Sequence, residues 1–304
     1  MIHLGLVVNP TAGRGRGMPA GRRAHDLLRS RGFKVEDLSA ATLAQATDRA
    51  RAAAVQGLDA LVVVGGDGMV HLGVNVVAGT GLPLGIVAAG TGNDIARSLG
   101  LARGDVEASI RAIELGLQLG PRRVDAVRVG SPEHAAREWY LGVLSCGFDA
   151  AINARANEMV WPKGAGRYVR ALVAELGGFR PYGYRVTLDD LVWESPGTLV
   201  AVANTPWFGG GFKIAPDAEV DDGLLDVVLA GPFTRTGVLK IFPGIPQGRH
   251  VGHPAVHIHR SRSVLIEPLV EHGPVPPVAF ADGERVGPLP LRVTADPGAL
   301  SVLG

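Results

Sequence analysis

The sequence predicts an α/β domain built on a parallel sheet, followed by a β-rich domain built as an antiparallel sandwich. Three observations lead to this prediction. Short apolar strands alternate with helical segments up to about residue 125, which is the pattern of a parallel sheet covered by helices. Beyond that point strands follow one another between Gly and Pro turns, with few helices. Strands of the first part also end in glycine-rich loops, where parallel sheets bind ligands.

We place the first domain at residues 1–125 and the second at 126–292, and leave open whether 293–304 rejoin the first. The first domain is predicted to contain four strands and five helices. The strands are IHLGLVVN, FKVEDLS, DALVVVGG and PLGIVAAG, and helical spacing covers residues 18–31, 42–56, 69–78, 93–99 and 105–116.

The second domain is predicted mainly from runs of β-branched and aromatic residues between turn signals. Two helices, around residues 166–176 and 236–241, interrupt the strands. The predicted strands are REWYLGVLSCG, YRVTLDD, GTLVAVANT, GLLDVVLAG, AVHIHRSRSVLIE and PVAFADGERV.

Composition excludes several classes of protein. The chain has 304 residues, with 30 Lys and Arg against 29 Asp and Glu, which argues against a nucleic-acid-binding protein with its basic surplus. Cys146 is the only cysteine, so no intramolecular disulfide or cysteine metal cluster is expected, and we predict a reduced, cytoplasmic setting. The N-terminus lacks a signal-peptide pattern and no window reaches about 18 uncharged apolar residues, so we expect a soluble or peripheral protein.

Glycine-rich loops carry the functional argument. VVNPTAGRGRG, GGDG and AAGTGND each follow a predicted strand, and glycines there let backbone N–H groups approach an anion. Three such loops on one sheet edge can hold a polyphosphate. Asp67 and Asp94 lie inside two of them, and a carboxylate beside phosphates is repulsive unless a divalent cation lies between, which suggests a magnesium site. The alternative is that both carboxylates only cap helices or turns.

Five motifs resemble those of the diacylglycerol kinase catalytic family, which includes bacterial lipid kinases and sphingosine kinases. In order they are NPTAG at 9–13, GGDG at 65–68, GTGNDIAR at 90–97, GGGFKIAPDAEVDDGLLDVV at 209–228 and ADGERV at 281–286. The resemblance implies a first domain of the NAD kinase and phosphofructokinase type that binds ATP and faces the β sandwich. It also implies Mg²⁺-dependent transfer of the γ-phosphate to a lipid hydroxyl, with diacylglycerol converted to phosphatidic acid as the leading reaction.

The resemblance assigns roles to residues at the matching positions. Glu284 would be the general base, Asp67, Asp94 and Asp125 would organise magnesium around the phosphates, and Asp222 would hold a structural magnesium ion. Simple turn or strand-end roles remain open for Asp125, Asp222 and Glu284. The nucleotide would be bound by Asn9, Pro10, Gly13, Gly65, Gly66, Gly68, Gly90, Thr91, Gly92 and Asn93.

The chain departs from the family pattern after GGDG, where Met69 and Leu72 replace a Thr and a Glu, and Ala88 replaces a common Pro before the GT loop. A lost hydrogen bond to a charged phosphate costs roughly 1.5–3 kcal/mol, so we still expect an active enzyme. Three alternatives stay open: a kinase of another lipid or a soluble alcohol, an NAD kinase, which also uses a GGDG loop, and a catalytically silent binding protein.

A lipid acceptor implies work at a membrane surface, and residues 160–184 mix aromatic and basic side chains in a way that suits an anionic interface. An amphipathic helix packed on the sheet explains the same segment equally well. A homodimer is left open. The histidines at 250, 253, 257 and 259 suggest a zinc cluster, but 257 and 259 share one strand face without a suitable Cys or acidic partner. The aromatic and basic side chains of residues 160–184 are Trp161, Lys163, Arg167, Tyr168, Arg170, Phe179 and Arg180.

Overall fold

The computed structural model describes residues 1–134, 136, 138–159, 161 and 165–304, and only the backbone of 165–168. Its first part alternates strands with helices, as predicted. The strands are β1 His3–Val8, β2 Lys34–Asp37, β3 Ala60–Gly65 and β4 Leu84–Ala88, and the helices are α1 Ala12–Gly15, α2 Gly17–Ser30, α3 Leu43–Gln56, α4 Asp67–Val77, α5 Asp94–Ser98 and α6 Val106–Leu119.

The first sheet has the order β2-β1-β3-β4, and every pairing in it is parallel. Helices cover both of its faces, which is why β3 is buried at every position despite its lack of apolar alternation. Leu61 and Val63 pack on the side of α3 and α4, whereas Val62 and Val64 pack on the side of α2 and α6. Because the strands are parallel, the loops that follow β1, β3 and β4 emerge at the same edge.

The second part is mainly β structure. It adds three helices, two 3-10 helices and most of the strands. The strands are β5 Arg122–Gly130, β6 Glu138–Tyr140, β7 Val143–Gly147, β8 Tyr182–Thr187, β9 Val192–Gly197, β10 Leu199–Ala203, β11 Trp207–Phe208, β12 Phe212–Lys213, β13 Leu225–Ala230, β14 Val256–Ser261, β15 Ser263–Pro268, β16 Ala279–Ala281, β17 Glu284–Gly287 and β18 Leu291–Leu303, and the helices are α7 Phe148–Glu158, α8 Ala165–Gly178, α9 Arg235–Ile241 and the 3-10 helices Phe242–Gln247 and Arg249–Gly252.

The predicted antiparallel sandwich is confirmed. One layer is the six-stranded sheet β14-β13-β10-β7-β16-β17, and the other consists of β5, β6, β8, β9, β15 and β18. Leu144, Val200 and Val227 of the first layer meet Val264 and Val293 of the second in a buried core. The long strand β18 pairs in parallel with β4 and antiparallel with β5 and β15, so one sheet runs from the α/β part into the sandwich.

Two segments that the sequence predicts as single strands are each divided between the two layers. REWYLGVLSCG forms β6, which pairs with β5, and β7, which pairs with β10. AVHIHRSRSVLIE forms β14 in one layer and β15 in the other, with the N–H of Arg262 donating to Asp189 at the crossing. Apolar runs do not show where a chain passes between layers. The sequence analysis also missed α7 and β9.

Helices and 3-10 turns cover the outer face of the six-stranded sheet. Phe148, Phe179 and Val238 pack there against the strands, so Phe179 lies in the core and does not face a membrane. Trp161 is exposed, and the guanidinium of Arg170 lies 5.8 Å from its ring centre. Arg167 and Tyr168, with Lys163, lie outside the described side chains. Within the part of the chain that the structure describes, no helix is long and apolar enough to cross a bilayer.

Because β18 belongs to both parts, we expect heat to unfold the chain in one transition. Leu61→Ala in the first core and Leu144→Ala in the sandwich core should each lower the free energy of unfolding by about 2–5 kcal/mol. Scanning calorimetry should show one peak that both substitutions shift, whereas Leu119→Ala at an exposed site should leave it unchanged. Two peaks, each moved by only one substitution, would contradict the shared-sheet coupling.

Candidate functional site

The loops after β3 and β4 are in direct backbone contact. The N–H groups of Ala89 and Gly90 donate to the carbonyl oxygen of Gly65 over 2.8 and 3.1 Å. A Cβ atom on Gly90 would lie 2.4 Å from the Cα of Gly66, which is far closer than any side chain tolerates. Position 90 therefore requires glycine, whereas a Cβ on Gly66 would make a tighter than usual contact of 3.3 Å with the Cα of Gly90. The glycines that the sequence assigns to nucleotide binding also build the loop cluster itself.

The loop after β1 joins this cluster through Arg16. Its Nη2 donates to the carbonyl of Gly90 over 2.9 Å, and its Nε donates to the carbonyl of Gly13 over 3.0 Å. Gly13 has a φ of 57°, and a Cβ there would lie 2.2 Å from the carbonyl oxygen of Ala89. Asn9 accepts hydrogen bonds from Thr11, and Pro10 accepts one from the N–H of Met18. Arg16 was missed by the sequence analysis, although it lies in the quoted loop.

Asn93 closes the loop after β4. It adopts a left-handed conformation with a φ of 54°, and its side chain is buried. Its Oδ1 accepts the N–H of Gly90 over 2.9 Å and its Nδ2 donates to the carbonyl of Gly90 over 3.2 Å. Thr91 is exposed at the tip of the same loop. Asn93 thus holds the loop in shape, while Thr91 and Gly92 remain accessible to a ligand.

Asp67 and Asp94 approach each other at Gly92. A Cβ on Gly92 would lie 3.2 Å from Oδ2 of Asp67 and 3.7 Å from Oδ2 of Asp94. Burial raises the pKa of Asp67 to about 6; the N–H of Ile95 lowers this pKa and the charge of Asp94 raises it. Burial likewise raises the pKa of Asp94, against the N–H of Gly210 and the charge of Arg97. Two buried carboxylates this close favour a cation between or beside them.

This pair fits a magnesium ion in the chemistry of its donors. Oδ1 of Asp94 is buried and has no hydrogen-bond partner, although Nη1 of Arg97 lies 3.3 Å away. Among the described residues, no group of three or more His, Cys, Asp or Glu side chains is arranged to hold a metal. Mg²⁺ commonly takes only one or two carboxylates and completes its shell with phosphate and water oxygens.

The other two predicted metal ligands have different surroundings. The carboxylate of Asp125 accepts the N–H of Gly223 over 2.6 Å and that of Gly298 over 2.8 Å, so it fastens two loops together. Asp222 accepts the N–H of Leu224, and its other oxygen contacts the guanidinium of Arg260. Hydrogen bonds thus satisfy Asp125, whereas Oδ2 of Asp222 contacts Arg260 but is buried without a hydrogen-bond partner. The metal roles of both residues stay predictions.

Glu284 reaches the GGDG loop from the sandwich. It is half-buried at the start of β17, and its Oε1 lies 2.8 Å from the point that a Cβ on Gly68 would occupy. Only a glycine at position 68 leaves room for this carboxylate. The proposed base and the proposed phosphate loop, which are more than 200 residues apart in sequence, are therefore neighbours in the fold.

A buried charge cluster that the sequence analysis missed fixes this arrangement. Oδ2 of Asp282 lies 3.4 Å from Nδ1 of His71, and Oε1 of Glu138 lies 3.4 Å from Nε2. Burial alone would lower the pKa of His71, but the two carboxylates outweigh burial and raise this pKa to about 9. Asp282 also accepts the N–H groups of Leu141 and Gly142. The cluster ties helix α4, which follows GGDG, to the turn that carries Glu284.

A short hairpin from the sandwich covers the loop after β4. It consists of β11 and β12 joined by residues 209–211, and its Gly210 N–H donates to Asp94 over 2.6 Å. Two cations contact the Trp207 ring: the guanidinium carbon of Arg97 lies 4.8 Å from its centre and Nζ of Lys213 lies 5.6 Å from it. The GGGFK motif signalled this segment, but not its contact with Asp94.

Comparisons with known proteins agree with this architecture. Residues 3–129 match the family model described as the diacylglycerol kinase catalytic domain, and residues 142–304 match the YegS C-terminal NAD kinase beta sandwich-like domain. A protein of Mycobacterium tuberculosis named diacylglycerol kinase is 37% identical over 98% of this chain and 93% of its own length. A Staphylococcus saprophyticus protein of the same name is 24% identical over 94% of this chain and 90% of its own.

The fold is also found among solved structures. A crystal structure of a diacylglycerol kinase from Bacillus anthracis superposes with a TM-score of 0.70 at 20% identity, covering 99% of this chain and 96% of that one. A second crystal structure from the same organism gives a TM-score of 0.75 with the same identity and coverage. At this identity the likeness supports the fold alone.

We expect His71→Gln to lower stability in a pH-dependent way. The pKa of His71 is about 9 in the folded protein and about 6.5 in the unfolded chain. The protonated imidazole therefore stabilises the fold fully at pH values below about 6.5, and this contribution is lost as the pH rises through about 9. The difference in unfolding free energy should reach about 3 kcal/mol between about pH 5 and 6.5 and shrink toward pH 9. Denaturant titrations at several pH values measure it, with His272→Gln at an exposed site as the control. A difference independent of pH would contradict the charge cluster.

Proposed function

Because the chain belongs to the diacylglycerol kinase catalytic-domain family and is a phosphotransferase with an alcohol acceptor, we propose that it transfers the γ-phosphate of ATP to diacylglycerol, forming phosphatidic acid. The observation that carries the proposal is the contact of Glu284 with Gly68, which puts a carboxylate at the GGDG loop. The Mycobacterium tuberculosis relative supports the acceptor, since its name specifies diacylglycerol.

The three glycine-rich loops would bind the triphosphate through their backbone N–H groups. These loops emerge at one sheet edge and are held together by Arg16 and by the contact of Gly66 with Gly90. Helix α4 begins at Asp67, so its N-terminal amides and dipole point into the same region. Asp67 and Asp94 would hold magnesium, which when bound offsets the charge of the phosphates.

Glu284 would take the proton of the acceptor hydroxyl while the hydroxyl oxygen attacks the γ-phosphorus. A bond forms between that oxygen and phosphorus, the bond to the β-γ bridging oxygen breaks, and ADP leaves. The carboxylate is suited to this role because it approaches the loop from the sandwich, the part to which we assign the acceptor. The position of Glu284 depends on an ion pair between Asp282, two residues earlier in the same turn, and His71 on helix α4.

The departures at Met69 and Leu72 do not alter the site lining. Both side chains lie in the hydrophobic core, with Met69 packed over Gly65 and Leu72 among the residues beneath α4. The soluble-alcohol kinase and the NAD kinase remain as alternatives that the acceptor test separates.

A diacylglycerol with about 30 methylenes would cost roughly 24 kcal/mol to transfer into water at about 0.8 kcal/mol per methylene. The enzyme must then meet its acceptor at a bilayer surface. We therefore propose peripheral membrane association.

The direct test offers labelled ATP and Mg²⁺ to a total lipid extract and resolves the products by mass. Phosphatidic acid is expected, with more label when diacylglycerol is added. Parallel reactions with NAD and with soluble alcohols test the alternatives. Label in NADP or in a water-soluble product, with none in lipid, would overturn the lipid assignment.

We expect Asp67→Ala and Glu284→Gln each to lower the transfer rate by about a hundredfold or more, since a general base contributes about that factor and Asp67 would hold the metal. Glu284→Gln should leave the Kd for Mg-ATP unchanged in titration calorimetry, whereas Asp67→Ala should weaken it. Full activity in either variant would contradict the assigned roles.

Gly68→Ala gives a sharper test of the contact on which the proposal rests. The added methyl meets only the free end of the Glu284 side chain, so the carboxylate moves and the fold is kept. We expect a loss of about tenfold to a hundredfold in transfer rate, with unchanged Tm and ATP affinity. Gly177→Ala, where nothing lies within 4 Å, is the matched control.

Gly90→Ala should behave differently from Gly68→Ala. Its methyl would meet the backbone of Gly66 at 2.4 Å, so the two loops must separate. ATP binding itself should be lost. If both variants lost ATP affinity equally, Glu284 would not be the group that Gly68 accommodates.

A further inference from the structure

One segment of the sandwich carries basic side chains and no acidic ones. Residues 227–266 lack Asp and Glu altogether, although the chain as a whole is nearly neutral. Within this stretch, helix α9 and the two 3-10 helices lie on the outer face of the six-stranded sheet. Lys240 and Arg249 are exposed there. We call the surface formed by residues 235–253 the basic face.

The basic face contains a pocket of about 690 Å³. Its polar side chains are those of Lys240, Arg249, His250 and His253, and no carboxylate lines it. His250 is 4% exposed, and its Nε2 donates to the carbonyl of Ile214 over 2.9 Å. Its Nδ1 is buried without a hydrogen-bond partner. A pocket lined by two cations and by no carboxylate fits an anionic ligand.

Exposed apolar side chains adjoin the pocket residues in sequence. Leu239 is 49% exposed and Val251 is 41% exposed, on either side of the basic residues in sequence. Trp161 and Val173, from the neighbouring segment and helix α8, are 72% and 64% exposed in the same outer layer. Exposed apolar groups among cations are the combination that suits an anionic bilayer surface.

The basic face continues to the candidate active site. The ring of Phe242, in the first 3-10 helix, lies 5.2 Å from that of Phe212 in the hairpin over the phosphate loops. Gly210 of that hairpin donates to Asp94. A membrane bound at the basic face would therefore lie near the hairpin that contacts Asp94.

We propose that the pocket of the basic face binds the phosphate headgroup of an anionic phospholipid in the bilayer, and that Leu239 and Val251 enter the interface beside it. This inference rests on the proposed lipid kinase function. Lys240 and Arg249 would donate to the phosphate oxygens. The anionic lipid is a docking ligand and is distinct from the acceptor that Glu284 deprotonates.

Sedimentation with vesicles tests the proposal. Wild type should bind vesicles of phosphatidylcholine with phosphatidylglycerol and bind pure phosphatidylcholine weakly. Lys240→Gln combined with Arg249→Gln should lower the partition coefficient at least tenfold, because each Lys or Arg near an anionic surface contributes roughly fivefold. Arg22→Gln combined with Arg29→Gln, two exposed cations on α2, is the matched control and should bind as wild type does. Leu239→Ser with Val251→Ser should also weaken binding.

Measuring phosphate transfer as well as vesicle binding distinguishes a failure of the docking site from a failure of the proposed function. With a dispersed short-chain acceptor and no vesicles, the Lys240 and Arg249 variant should turn over as wild type does, which shows that it is folded. Equal binding by this variant and wild type, or equal binding to both vesicle types, would overturn the docking site. Dimerisation that the same substitutions abolish, without vesicle binding, would overturn it in favour of a second copy. If vesicle binding follows the prediction but no lipid is phosphorylated, the proposed function fails while the docking site stands.

Discussion

The structure depends on the close backbone approach of two loops at the edge of a parallel sheet. Gly66 and Gly90 touch because neither carries a side chain, and the carbonyl of Gly65 accepts two N–H groups from the opposite loop. This contact joins two loops that carry few side chains, and backbone close to the surface is what a polyphosphate site uses. Arg16 then fastens the loop after β1 to the same cluster.

Charged residues make the two sides of the loop cluster different. Asp67 and Asp94 make its interior acidic, and the hairpin at Gly210 and the pair Arg97 with Trp207 cover the Asp94 side. Toward the sandwich, the ion pair of His71 with Asp282 sets the turn that presents Glu284. The α/β part and the sandwich are thus joined by a buried ion pair, as well as by the shared strand β18.

The sequence predicted the class of fold and most of the first domain because the spacing of apolar residues and the positions of turn-forming glycines are local signals. Glycines mark the loop ends, and helical spacing located α2, α3 and α6 closely. It failed where a chain passes between sandwich layers, as at Arg262, because apolar residues continue through the crossing. It also missed His71, Asp282 and Arg16, since pairing between residues far apart in sequence leaves no periodic trace.

What the sequence by itself determined is the order of the elements, the glycine positions and the identity of the acidic residues, all of which follow from local stereochemistry and composition. Tertiary structure alone decided which of these residues meet. It brought Glu284 against Gly68, gave Asp222 an arginine partner, and gathered Lys240, Arg249 and His250 in one pocket. The physical reason is that such contacts depend on how strands are ordered and layered, and that ordering minimises exposed apolar area over the whole chain rather than within any one segment.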